Sequence, residues 1–218
     1  MKNEKTIFEL IQISYYDFEK PKYPVFNVNR SHVGYFSTLE KAEQEMKKVS
    51  ADNQKNTFGF LVNEYPIDFS TWYMKKSQRS YLPDGSLWDE NLVSEIIRED
   101  GWLEEFTGRP AEKMRFNIGD FVEVLHGNTV ELEIVANQPW TPEYRNKMHK
   151  ISETKGYRCA RLDSGDDCYY TLDKTGEHSH PSAVTLFPVR FKISKKHKEM
   201  LLSDEYYSYR KYYDNQEE

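Results

Sequence analysis

β-Branched and aromatic positions crowd the stretch Ile7 to Tyr16, which predicts a strand. Asp17 to Arg30 holds Pro21, Pro24 and many polar residues and predicts a loop; His32 to Phe36 then predicts a second, short strand. The period changes next. Leu39, Ala42, Met46 and Val49 recur at spacings of three and four, forming one apolar helical stripe. Lys41, Glu43, Gln44, Glu45, Lys47 and Lys48 take the opposite face. Ser37 and Glu40 form a capping box, so a helix is predicted over 38–49 with Ser37 as its cap and its stripe laid on a sheet. Phe58 to Tyr65 returns to strand, limited by Pro66, and Thr71 to Met74 adds an extended segment. In Pro83-Asp84-Gly85, Pro sets φ and Gly supplies the left-handed position, which predicts a hairpin. Asp89 is read as the cap of a second helix, with Leu92, Val93, Ile96 and Ile97 as its apolar face and Gly101 as its stop.

Thr107-Gly108-Arg109-Pro110 punctuates the chain and sets a boundary between an α+β module over 1–108 and a β-rich module over 109–218. In the second, Phe121 to His126 alternates, with Phe121, Glu123 and Leu125 on one side and Val122, Val124 and His126 on the other. Gly127-Asn128 is a turn and Thr129 to Ala136 the returning strand. Thr141-Pro142-Glu143 predicts a helix start. Tyr157 to Leu162 and Tyr169 to Leu172 read as strands about the polar run Asp163 to Asp167, and Ala183 to Phe187 as a last strand. Leu202, Tyr206, Tyr209 and Tyr213 share one stripe of a C-terminal helix that docks on the body. The predicted class is α+β: an N-terminal sheet with a packed helix, a small barrel-like module and a C-terminal helix.

The stretch GYFSTLEKAEQEM followed by FGFLVNEYPIDFSTW resembles small bacterial domains of unknown function. Gly34, Ser37, Glu40, Lys41, Ala42, Phe60 and Asp68 sit in matching places over residues 7–75. That family has no established activity, so the resemblance implies a fold and carries over no functional residue. The opening IGDFVEV of the second module resembles the first strand of an SH3-like barrel.

Composition sharpens this. The 218 residues are 38% hydrophobic, enough for a core, and lean on aromatics: 16 Tyr, 12 Phe and 4 Trp. Tyrosine joins an apolar body to a polar tip and suits half-buried strands and binding surfaces. The formal charge of −6 argues against a protein devoted to nucleic acid. No apolar run approaches the length of a membrane span and no signal-peptide core is visible, so a cytoplasmic protein is expected. Cys159 and Cys168 then read as buried free thiols. Trp72, Trp88 and Trp102 flank apolar elements and are read as core.

Candidate chemistry is sparse. No G-x-S-x-G elbow and no phosphate-cradling glycine loop occurs. His178 and His180, one residue apart, point to the same side of an extended chain; with Asp166 and Asp167 they would suit zinc or iron, and a metal-dependent enzyme is the alternative reading. The run from Arg190 to Lys198 is the one local excess of positive charge, and Lys192, Lys195 and Lys196 could touch phosphates. Trp140 and Tyr144 lie in an excursion between strands, where aromatics bury much area at little entropic cost. The leading reading is a non-enzymatic, cofactor-free binding or regulatory protein whose partner is another protein, engaged through Trp140, Tyr144 and tyrosine-rich surfaces.

Overall fold

The computed structural model describes residues 5–16, 22–67, 77–92, 94–97, 103–106, 115–137, 170–173, 178–179, 183–204, 206–208 and 211. These are mostly antiparallel strands with two α-helices, an α+β composition. No described helix is long and apolar enough to cross a membrane. The chain divides into two units: residues 1–21, 26–94 and 127–130 form the first, and residues 22–25, 95–126 and 131–218 the second.

Unit 1 is built on β1 (Thr6–Tyr15), β2 (Val25–Phe36), β3 (Thr57–Pro66), β4 (Ser77–Tyr81) and β5 (Leu87–Leu92), with α1 (Leu39–Asn53) between β2 and β3. The strands are antiparallel neighbours in the order β2-β1-β3-β4-β5. β2 is longer than the sequence reading allows. Phe26 and Val28 are buried while Asn27 and Asn29 are exposed, a period-two signal that the nearby prolines overrode in the reading.

The apolar stripe of α1 lies on the sheet as expected. Ala42 and Met46 pack with Phe8, Leu10, Phe60, Val62 and Tyr81, and Leu39, Val49, Val33 and Phe36 border the cluster. The cap, however, is Thr38. Its side chain accepts from the Lys41 amide at 3.3 Å, whereas Ser37 Oγ accepts from Lys41 Nζ at 3.0 Å. Both hydroxyls can cap, and the extended backbone at Thr38 decides between them. At the other end Ser50 Oγ donates to the Pro83 carbonyl at 2.7 Å, fastening α1 to the β4–β5 turn. Gly85 in that turn has φ of +78°, the left-handed value its sequence context demands.

The helix read after Asp89 is absent. Residues 87–92 are β5, and Ser94–Ile97 forms β6. Short apolar runs do not distinguish helix from strand, and here pairing with β4 decides. Trp88, read as core, is half-buried.

In unit 2, β6 pairs with β7 (Leu103–Phe106) as a separate ribbon. β8 (Phe121–His126) pairs with β9 (Thr129–Asn137) and, antiparallel, with β12 (Leu186–Pro188). β10 (Tyr170–Leu172) joins β9 to β11 (His178–Ser179). A 3₁₀ turn, Ala183–Thr185, replaces the start of the expected last strand. The Leu132 amide donates to the Pro24 carbonyl at 2.8 Å, tying the segment 22–25 to β9. The second helix, α2 (Lys195–Leu201), buries Leu201 and leaves Leu202 exposed. Leu202 leaves helical geometry with ψ of 45°, and Leu201 takes the buried place predicted for it. Tyr206 is buried as expected, and its hydroxyl lies 3.6 Å from where a Cβ on Gly119 would stand.

Candidate functional site

Helix α1 covers one face of the unit 1 sheet. Strand alternation sends Glu9, Leu61, Asn63, Gln78 and Ser80 to the other face. The register aligns Tyr35 of β2, Glu9 of β1, Asn63 of β3 and Gln78 of β4 in one row across the sheet.

Hydrogen bonds run along that row in one direction. Gln78 Nε2 donates to Asn63 Oδ1 at 2.8 Å, and Asn63 Nδ2 donates to Glu9 Oε2 at 2.8 Å. Tyr65 Oη donates to the same oxygen at 3.1 Å. Each donor polarises the next, and the chain ends on Glu9 Oε2. Burial and the adjacent carboxylate hold the Tyr65 phenol above its ordinary value, in that order of importance, so it remains a donor.

β2 completes the cluster through a bulge. Leu10 opposes Gly34 and Ile11 opposes His32, so Val33 is an extra residue. A bulge re-aims its neighbours. Here it puts His32 and Tyr35 on one face, where regular alternation would separate them. Their ring centroids are 4.4 Å apart at 51°. His32 Nε2 lies 3.9 Å from Glu9 Oε1. Tyr35 is 58% exposed, the His32 side chain 44% and the Glu9 side chain 16%. Glu9 is thus a carboxylate held by neutral donors on Oε2, with His32 Nε2 3.9 Å from Oε1 and the exposed Tyr35 ring against the His32 ring.

Unit 2 holds a different kind of cluster. Glu123, fully buried on β8, accepts from Tyr23 Oη at 2.5 Å, from the Arg190 amide at 3.1 Å and from Arg190 Nε at 3.0 Å. The Phe191 amide donates to Tyr23 Oη at 3.3 Å. Burial, then Glu123, pushes the Tyr23 phenol far above its ordinary value. This network pairs the buried Glu123 carboxylate with the Arg190 guanidinium, as a structural tie does. Nearby, His126 Nε2 lies 2.5 Å from Oε1 of the buried Glu133. The hydrogen bond to Glu133 raises the His126 pKa; burial opposes it, and the charges of Glu133, Glu131 and Asp173 add to it.

Most residues singled out in the sequence lie elsewhere. Trp140, Tyr144, Asp166, Asp167 and His180 fall outside the described residues, as do Cys159, Cys168, Trp72 and Trp102. The His178 backbone opposes Leu172 in the β10–β11 pair. Lys192 is exposed ahead of α2, and Lys195 and Lys196 are exposed in its first turn, Lys195 Nζ lying 3.6 Å from Glu199 Oε1. Arg190, read as the start of the basic run, turns inward to Glu123 and over the Phe187 ring at 5.5 Å. Among the described residues no group of three or more His, Cys, Asp or Glu could hold a metal ion.

Sequence reasoning missed both clusters. The signal for Glu123 was present, since Phe121 and Leu125 flank it on what was read as one side of the strand. For Glu9, His32 and Tyr35 the bulge hid the convergence.

Comparison of the chain with protein-family models, with curated proteins and with solved structures finds no match.

Proposed function

We propose that this chain is a non-enzymatic binding protein that engages another protein through the Tyr35–His32–Glu9 face of unit 1. One observation supports this reading above others: an accessible tyrosine and histidine stand beside a carboxylate whose position is already fixed by Asn63 and Tyr65. Pre-positioned polar groups and rigid aromatics reduce the ordering cost of association. The Trp140–Tyr144 segment joins the proposal as a second aromatic contact, on its sequence alone. A cytoplasmic location fits the absence of a long apolar run. The resemblance of the first module to bacterial domains of unknown function belongs to the same reading. An SH3-like arrangement of the second module is also proposed; the β8–β9 hairpin after Ile118-Gly119-Asp120, with β12 antiparallel to β8, supports it.

The test is site-specific photocrosslinking in extract of the native host. A photoreactive phenylalanine analogue at position 35 should give a discrete adduct, and one at Lys55, beside the far end of α1, should not. The adduct should fade when Glu9→Gln is added. Equal adducts at both positions, or none at position 35, would reject the proposal.

A further inference from the structure

Resting on that binding role, we infer that the Glu9 face receives one guanidinium group, an arginine side chain of the partner. Charge carries the argument first. Among the described residues Glu123 and Glu64 each have an arginine within ion-pair distance, Arg190 at 3.0 Å and Arg79 at 3.9 Å. Glu9 is comparably withdrawn from solvent at 16% exposure, yet its ion-pair contact is His32 at 3.9 Å, and its short hydrogen bonds come from neutral Asn63 and Tyr65. A desolvated carboxylate without a resident Lys or Arg gains most from a cation brought by another molecule.

Shape carries it second. The Tyr35 ring is exposed and lies directly across from Glu9 in the strand register. A planar guanidinium can lie against such a ring while donating to the carboxylate oxygen that faces His32. A lysine ammonium does the second and not the first. The overall charge of −6 favours approach of a cationic segment.

The test uses the full chain, ¹⁵N-labelled, with acetyl-argininamide as probe and acetyl-citrullinamide, its neutral isostere, as control. The arginine probe should shift the amides of Glu9, His32, Tyr35 and Tyr65 saturably, and the citrulline probe should leave them in place. Glu9→Gln should weaken binding by at least about tenfold, and Tyr35→Ala by about fivefold. Tyr16→Ala, at a tyrosine of similar exposure just after β1, should leave it unchanged. Should Glu9→Gln lose the folded amide pattern, Tyr35→Ala carries the test. Citrulline binding as well as arginine, acetyl-lysinamide binding as tightly, or no saturable shift would each overturn the inference. An arginine probe that fails while the position 35 crosslink persists overturns the guanidinium assignment alone; loss of both removes the binding face as well.

Discussion

Tyr35 and His32 lie three residues apart in one strand and still meet on the same side of the sheet, because Val33 is inserted between paired positions. A regular strand would have sent one ring towards α1. The contact joins two half-exposed side chains, so its share of stability is small. A double-mutant cycle on His32→Ala and Tyr35→Ala should return a coupling of about 0.5 kcal/mol in urea denaturation. A coupling indistinguishable from zero would mean the rings are neighbours without mutual attraction.

The unit 1 core depends on one flexible side chain. Met46 is fully buried among Phe8, Leu10, Phe60, Val62 and Tyr81. Met46→Ala should destabilise unit 1 by about 2–5 kcal/mol, through lost apolar contact and an unfilled cavity. Met46→Leu should cost less than about 1.5 kcal/mol. Chemical denaturation followed by far-ultraviolet dichroism measures both.

The cap assignment separates two adjacent hydroxyls. Thr38→Ala should lower stability by about 1 kcal/mol, the usual worth of an N-cap hydrogen bond. Ser37→Ala should cost less than half of that, since Ser37 meets only the exposed Lys41 ammonium. Reversal of this order would restore Ser37 as the cap.

Arg190→Met should be among the most damaging changes in unit 2. It strips the cation from a carboxylate that has no access to water, a loss of about 3–5 kcal/mol. Glu123→Gln added to it should recover part of that loss, because the remaining group is neutral. A double variant as unstable as the single would place the damage in packing instead of charge.

His126 gives unit 2 a pH dependence with a definite sign. Its folded pKa stands above the ordinary value near 6.5, chiefly through the hydrogen bond with Glu133. The stability this contributes is therefore fully present below pH 6.5 and is lost as pH rises through the raised folded value. Glu133→Gln should flatten that part of the pH–stability curve. A curve that keeps its slope in the variant would assign the effect to another group.

How much of this could be read in advance depended on whether the signal was local. The α1 stripe and the Pro83-Asp84-Gly85 turn are written in neighbouring residues, and both stand where the sequence puts them. The helix read after Asp89 failed because Leu92, Ile96 and Ile97 fit either period, and only β4 shows which is used. Glu123 escaped notice because polar residues in an alternating strand usually face water, whereas both faces of β8 are covered. The Glu9 cluster joins three strands through a bulge at Val33, and nothing next to Val33 in the chain announces an extra residue.

The tie between Tyr23, Glu123 and Arg190 also sets an order of events. During synthesis Tyr23 leaves the ribosome 100 residues ahead of Glu123, and Glu123 leaves 67 residues ahead of Arg190. Contacts of such separation close late and slowly. Unit 2 therefore reaches its final charge balance only after nearly the whole described chain has emerged, and a nascent chain stalled before Arg190 carries a glutamate that must stay in water.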